Sequence, residues 1–93
     1  MARILVVDDE LSIREYLEVL LTRSGHVVEL ADSVEAARGL LTSRSYDLAI
    51  SDFRIGKDTG IDVLKAARAL SPPPEVIIIT AYGTPASAVQ AMR

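Results

Sequence analysis

Short β-branched apolar runs alternate along this chain with segments whose apolar residues recur at helical spacing. Arg3-Ile4-Leu5-Val6-Val7 is such a run, followed at once by acids, and it predicts a strand buried on both faces. From Ser12 to Ser24 the apolar positions Ile13, Leu17, Leu20 and Leu21 fall on one helical side, and Gly25 supplies the stop. Val27 to Ala31 predicts a second strand. Asp32, with Glu35 three residues on, has the spacing of a capping box and starts a helix that runs to about Ser43.

A third strand is predicted from Tyr46 to Ser51, followed by a loop from Asp52 to Gly60. Helical periodicity returns from Ile61 to Leu70 through Val63, Leu64 and Ala67, with Asp58 and Thr59 as its cap. Pro72-Pro73-Pro74 forbids its continuation. Glu75 to Thr80, containing Val76-Ile77-Ile78-Ile79, is the strongest strand signal in the sequence. Thr84 as N-cap and Pro85 at the first helical position then open a fourth helix. Strand–helix units repeated in this way imply an α/β fold, a doubly wound parallel sheet with helices on both faces. There is no internal repeat, low-complexity stretch or linker, so the chain reads as one domain.

Composition narrows the function. With no cysteine, a disulfide frame and a thiolate metal site are both excluded. The net charge is −3 and the basic residues are spread singly from Arg3 to Arg93, an argument against direct nucleic-acid binding. No apolar run approaches the roughly 20 residues of a membrane span, so a cytoplasmic location is expected.

In open parallel α/β sheets, function collects at the carboxyl ends of the strands. The first strand ends in Asp8-Asp9-Glu10, the third in Asp52 and the fourth in Thr80. Carboxylates from two separate strands therefore converge on one edge, where they repel and raise one another's pKa. A hard divalent cation with oxygen ligands removes the conflict, and Mg2+ fits two or three carboxylates plus waters. The bland reading, that Asp8 and Asp9 merely cap the first helix, does not account for Asp52.

Three segments together carry a resemblance: Ile4-Leu5-Val6-Val7-Asp8-Asp9-Glu10, Asp52 with Gly60 eight residues on, and Ile77-Ile78-Ile79-Thr80-Ala81. In this three-part spacing the chain resembles bacterial response-regulator receiver domains (the CheY-like superfamily), and its Thr80-Ala81-Tyr82-Gly83 segment is similar to the NtrC-like transcriptional group. The resemblance implies a strand order of 2-1-3-4-5. It also implies that residues 1–93 hold the first four of five β/α units, the fifth strand with its lysine and the fifth helix lying beyond Arg93.

By the same resemblance, Asp52 is the phosphoacceptor and Asp9 a direct ligand of Mg2+. Asp8 acts mainly through a bound water, and the backbone carbonyl of Arg54 supplies a further ligand. Thr80 is the switch hydroxyl, while Arg54 and Tyr82 border the phosphoryl group and tune its hydrolysis. The partners implied are a histidine kinase, an output domain or downstream protein, and a second copy in a homodimer. The domain is then a switch rather than an enzyme. At most it catalyses its own phosphorylation and dephosphorylation.

The chemistry is coherent. Phosphoryl transfer has a loose transition state, which asks the protein to position the donor and neutralise spreading charge. A threonine hydroxyl can donate to a phosphoryl oxygen, and its β-branch limits it to few rotamers. One departure is Gly56, where the family usually carries proline, and it predicts a looser loop. Lys57 beside it reads as solvated, and His26 and Glu10 read as surface residues.

Other classes fit less well. An aspartate-nucleophile phosphatase wants a second carboxylate where Arg54 stands. A dinucleotide or flavin module wants glycines where Asp8-Asp9-Glu10 would repel phosphates. Gly56 and Gly60 do not make a phosphate loop, because no Lys-Ser or Lys-Thr follows Gly60. A degenerate receiver acting only as a protein-interaction module is the alternative within the family.

Overall fold

The strand predicted from the first apolar run lies at the heart of the molecule. The structure, a computed structural model, describes residues 1–80. In it β1 (Arg3–Val7) pairs in parallel with both β2 (Val27–Ala31) and β3 (Leu48–Asp52). Ile4, Leu5, Val6 and Val7 are all fully buried because both faces of β1 are covered. Successive side chains alternate between the faces. Ile4 and Val6 join Ile50, Leu17 and Leu21 beneath α1 (Leu11–Arg23). Leu5 and Val7 join Val34, Ala37, Leu41 and Val63 beneath α2 (Val34–Ser43) and α3 (Gly60–Arg68).

The last described strand follows two short ones, β4 (Arg54–Ile55) and β5 (Asp58–Thr59), and is β6 (Glu75–Ile79). It pairs in parallel with β3, giving the sheet order β2-β1-β3-β6. This is the predicted order of the first four sheet strands. Among the described residues β6 is an edge strand, and its Ile77 and Ile79 remain 49% and 48% exposed on the α1 side. Among these residues no helix is long and apolar enough to cross a membrane. The helix expected from Thr84 and Pro85 lies outside the described residues, as do Tyr82 and the fifth strand and helix that the resemblance implies.

Several local expectations are corrected. The N-cap of α2 is Ser33 rather than Asp32: Ser33 Oγ accepts from the Ala36 N–H at 3.0 Å. Asp and Ser cap about equally well, so their adjacency left the choice to where β2 ends. The third strand begins at Leu48 instead of Tyr46. Tyr46 is buried ahead of the strand, while the Asp47 carboxylate accepts from the Arg3 N–H at 2.8 Å. His26 is half-buried rather than a surface residue, because its Nδ1 accepts from the Ala2 N–H at 3.0 Å.

The segment after Asp52 is a small hairpin, β4 pairing antiparallel with β5, and not a plain loop. Gly56 has φ 58°, and among the described residues no non-glycine residue has positive φ. That combination suits a two-residue turn with glycine at its first central position. The predicted cap of α3 falls on Thr59. Its Oγ1 accepts from the Ile61 N–H at 3.2 Å, and the Asp62 carboxylate accepts from the Thr59 N–H at 3.1 Å.

Candidate metal centre

Because all four sheet strands are parallel, their carboxyl ends share one edge. Val7 registers with Ser51, and Asp52 with Ile79. Asp8, Asp52 and Thr80 therefore lie close to one line across the edge, at the point where the chain departs from β1 to one side and reaches β3 on the other. This is where open α/β sheets form a crevice. Carboxylate oxygens of Asp8, Asp9 and Asp52 come within 4.8 Å of one another. Asp8 is buried, Asp52 half-buried and Asp9 exposed.

The carboxylates of Asp8 and Asp9 are held by backbone N–H groups. The Asp8 N–H donates to the Ala31 carbonyl at 3.1 Å, and its carboxylate accepts from the Glu10 N–H at 2.9 Å. Arg14, which the sequence reading missed, donates from Nη1 to the Asp8 carbonyl at 2.7 Å and ties α1 to the end of β1. Asp9 Oδ2 accepts from the Gly56 N–H at 2.9 Å. Beyond Asp52, the Phe53 N–H donates to the Ile79 carbonyl and the Gly60 N–H to the Phe53 carbonyl, both at 2.8 Å.

A Cβ on Gly60 would stand 2.7 Å from the Asp52 carbonyl oxygen and 2.8 Å from Ile78 Cδ1. This close approach explains the glycine eight residues after Asp52.

Asp8 and Asp9 do not act as caps of α1. The N-cap position is Glu10, with no side-chain cap bond, and the two aspartates bond elsewhere. Glu10 itself is exposed, as predicted, and Lys57 is exposed at the hairpin turn. Arg54 sits on β4 opposite Thr59 with its side chain exposed. Thr80 directly follows β6 and is half-buried.

Burial raises the pKa of Asp8, against the lowering effect of the Glu10 N–H; the charges of Asp52, Asp9 and Glu10 raise it further. The native state then binds more protons than the unfolded chain above the ordinary value of 3.8, so stability falls as pH rises through the window above it. At neutral pH the penalty is fully present. Asp8→Asn is expected to melt higher than wild type at pH 7 without a divalent cation. The gap should close as pH falls toward the ordinary carboxylate value, and thermal unfolding across pH checks it. A gap independent of pH would contradict the electrostatic origin.

The family model described as response regulator receiver domain matches residues 4–93. The chain is 40% identical over 91 residues to the alginate biosynthesis transcriptional regulatory protein AlgB of Pseudomonas aeruginosa, covering 98% of this chain and 20% of that protein. It is 40% identical over 90 residues to the transcriptional regulatory protein ZraR of Escherichia coli O157:H7, covering 97% of this chain and 20% of the relative. The chain thus spans about a fifth of the length of these curated relatives.

Among solved structures, the response regulator TrrA of Thermotoga maritima, in complex with Mg(2+)-BeF, aligns with a TM-score of 0.81 and 37% identity. That alignment covers 89% of this chain and 72% of TrrA. The beryllofluoride-activated NtrC4 receiver domain dimer aligns with a TM-score of 0.89 and 29% identity, covering 97% and 74%.

Proposed function

The chain belongs to the response regulator receiver domain family, and from that premise we propose that it is an Mg2+-dependent phosphoacceptor whose modified residue is Asp52. Receiver domains are signalling modules of two-component systems, and the relatives matched here are transcriptional regulators. One observation carries the reading: the carboxylates of Asp8, Asp9 and Asp52 converge within 4.8 Å at the carboxyl edge of the sheet.

The donor set fits a hard cation. It consists of oxygens only, and burial, reinforced by the charges of Asp52 and Asp9, already raises the pKa of Asp8. Asp9 and Asp52 would hold Mg2+ directly, Asp8 through water, with the Arg54 carbonyl as a further ligand. When bound, the ion supplies positive charge that keeps the carboxylates ionised and offsets the spreading charge of the phosphoryl oxygens.

A carboxylate oxygen of Asp52 attacks phosphorus. The bond from phosphorus to the donor, a kinase phosphohistidine, breaks, and the donor nitrogen leaves with the electron pair. Thr80 then donates its hydroxyl to a phosphoryl oxygen, drawing the segment after β6 toward the new anion. Arg54 and Tyr82 tune the lifetime of the acyl phosphate. The output is transcriptional, through a domain or protein downstream.

The test is direct. Addition of Mg2+ should shift amide resonances at the ends of β1 and β3, and acetyl phosphate with Mg2+ should add one phosphoryl group by intact mass. Resonances indifferent to Mg2+, or no mass gain with it, would refute the assignment.

A further inference from the structure

Resting on the function just proposed, we propose that Gly56 is a positioning residue: its backbone N–H latches the Asp9 carboxylate into the metal centre from an element distant in sequence. Asp9 is exposed and follows β1, whereas Gly56 is the turn of the β4–β5 hairpin. Their 2.9 Å hydrogen bond joins two elements distant in sequence. Asp9 is the member of the acidic trio that burial does not restrain. Repelled by Asp8 and Asp52, its side chain would turn toward solvent without a partner. An amide donor is such a partner, and a hydrogen bond to a charged acceptor is about twice as strong as a neutral one. The carboxylate keeps lone pairs for a cation, so the bond orients Asp9 without consuming it.

The sequence at this position is specific to the role. Gly56 holds φ 58°, a conformation that proline's ring forbids, and proline has no N–H to donate. Proline, usual here in the resembled family, could neither adopt this turn nor make this bond. The hairpin is fastened twice, by Ile55, 3% exposed in the core, and by Gly56 on Asp9. Arg54, whose carbonyl the proposed function places in the coordination shell, lies on the fastened hairpin. The latch thus restrains two prospective ligands at once and reduces the ordering cost of binding.

Replacing Gly56 by glycolic acid through semisynthesis removes the N–H and leaves the turn free of a side chain. Magnesium binding followed by calorimetry should weaken about tenfold, with the Ile55 methyl resonances of the metal-free protein unmoved. In the metal-free protein, amide exchange at Gly56 should accelerate about tenfold in Asp9→Ala and less in Asp9→Asn, which retains an acceptor. Equal magnesium affinity in the ester variant, or Gly56 exchange unchanged in Asp9→Ala, would overturn the latch and leave the proposed function standing. Absence of magnesium binding by the wild-type chain would overturn the proposed function and the latch together.

Discussion

Asp52→Asn is expected to take no phosphoryl group from acetyl phosphate under conditions that modify the wild type fully. The amide has no anionic oxygen to attack phosphorus and cannot form the mixed anhydride. The same substitution removes one of three charges that attract a divalent cation. At a magnesium concentration 100 times its Kd, wild type gains about 2.7 kcal/mol by mass action. In a domain of this size that is a rise of roughly 10 °C or more in Tm. Asp52→Asn should lose most of this rise, and so should Asp9→Ala, while both fold. Scanning calorimetry with and without Mg2+, beside intact-mass measurement of phosphorylation, gives both results on the same samples. Undiminished modification of Asp52→Asn would move the acceptor to another residue.

The second large effect is steric. Gly60→Ala places a methyl group 2.7 Å from the Asp52 carbonyl oxygen and 2.8 Å from Ile78 Cδ1. The isoleucine tip can turn aside, but the backbone oxygen belongs to β3 and cannot. Overpacking of this kind costs about 1–3 kcal/mol. The strain falls where α3 starts and Asp52 ends its strand, so β3 must shift relative to β6 or α3 must unwind its first turn. The variant should melt lower by about 4–20 °C and phosphorylate more slowly, since phosphoryl transfer depends on placement. Gly39→Ala is the control: it lies in α2 with nothing within 4 Å of the added carbon, and it should be neutral or stabilising. Equal Tm values for wild type and Gly60→Ala would show that the contact relaxes without cost.

The frame was legible because its signals are periodic. β1 and β6 are apolar runs rich in β-branched residues, and α1 and α3 begin and end within two residues of the positions expected. The convergence of Asp8, Asp9 and Asp52 could be read because parallel strands must end on one edge. What escaped depends on contacts between elements. Asp32 and Ser33 are both good caps, and only the end of β2 at Ala31 decides between them. The β4–β5 hairpin has two residues per strand, too few for an alternation to register, although Gly56-Lys57 was its turn signal. Arg14 and Gly56 reach the site by bonds to a backbone carbonyl and from a backbone N–H, and residue identity hardly encodes either.

The central position of β1 also sets a timetable. It is made first, but its two sheet partners arrive later, β2 after α1 and β3 after α2. Chains that must close such distant contacts fold more slowly than those with local ones. Asp8 and Asp9 leave the ribosome without Asp52, and its repulsion of them begins only when β3 docks. A cation that relieves it acts on contacts completed late. Magnesium should consequently slow unfolding more than it speeds folding, the pattern of an interaction weak in the transition state. Its main effect on the finished domain is on how long the native state lasts.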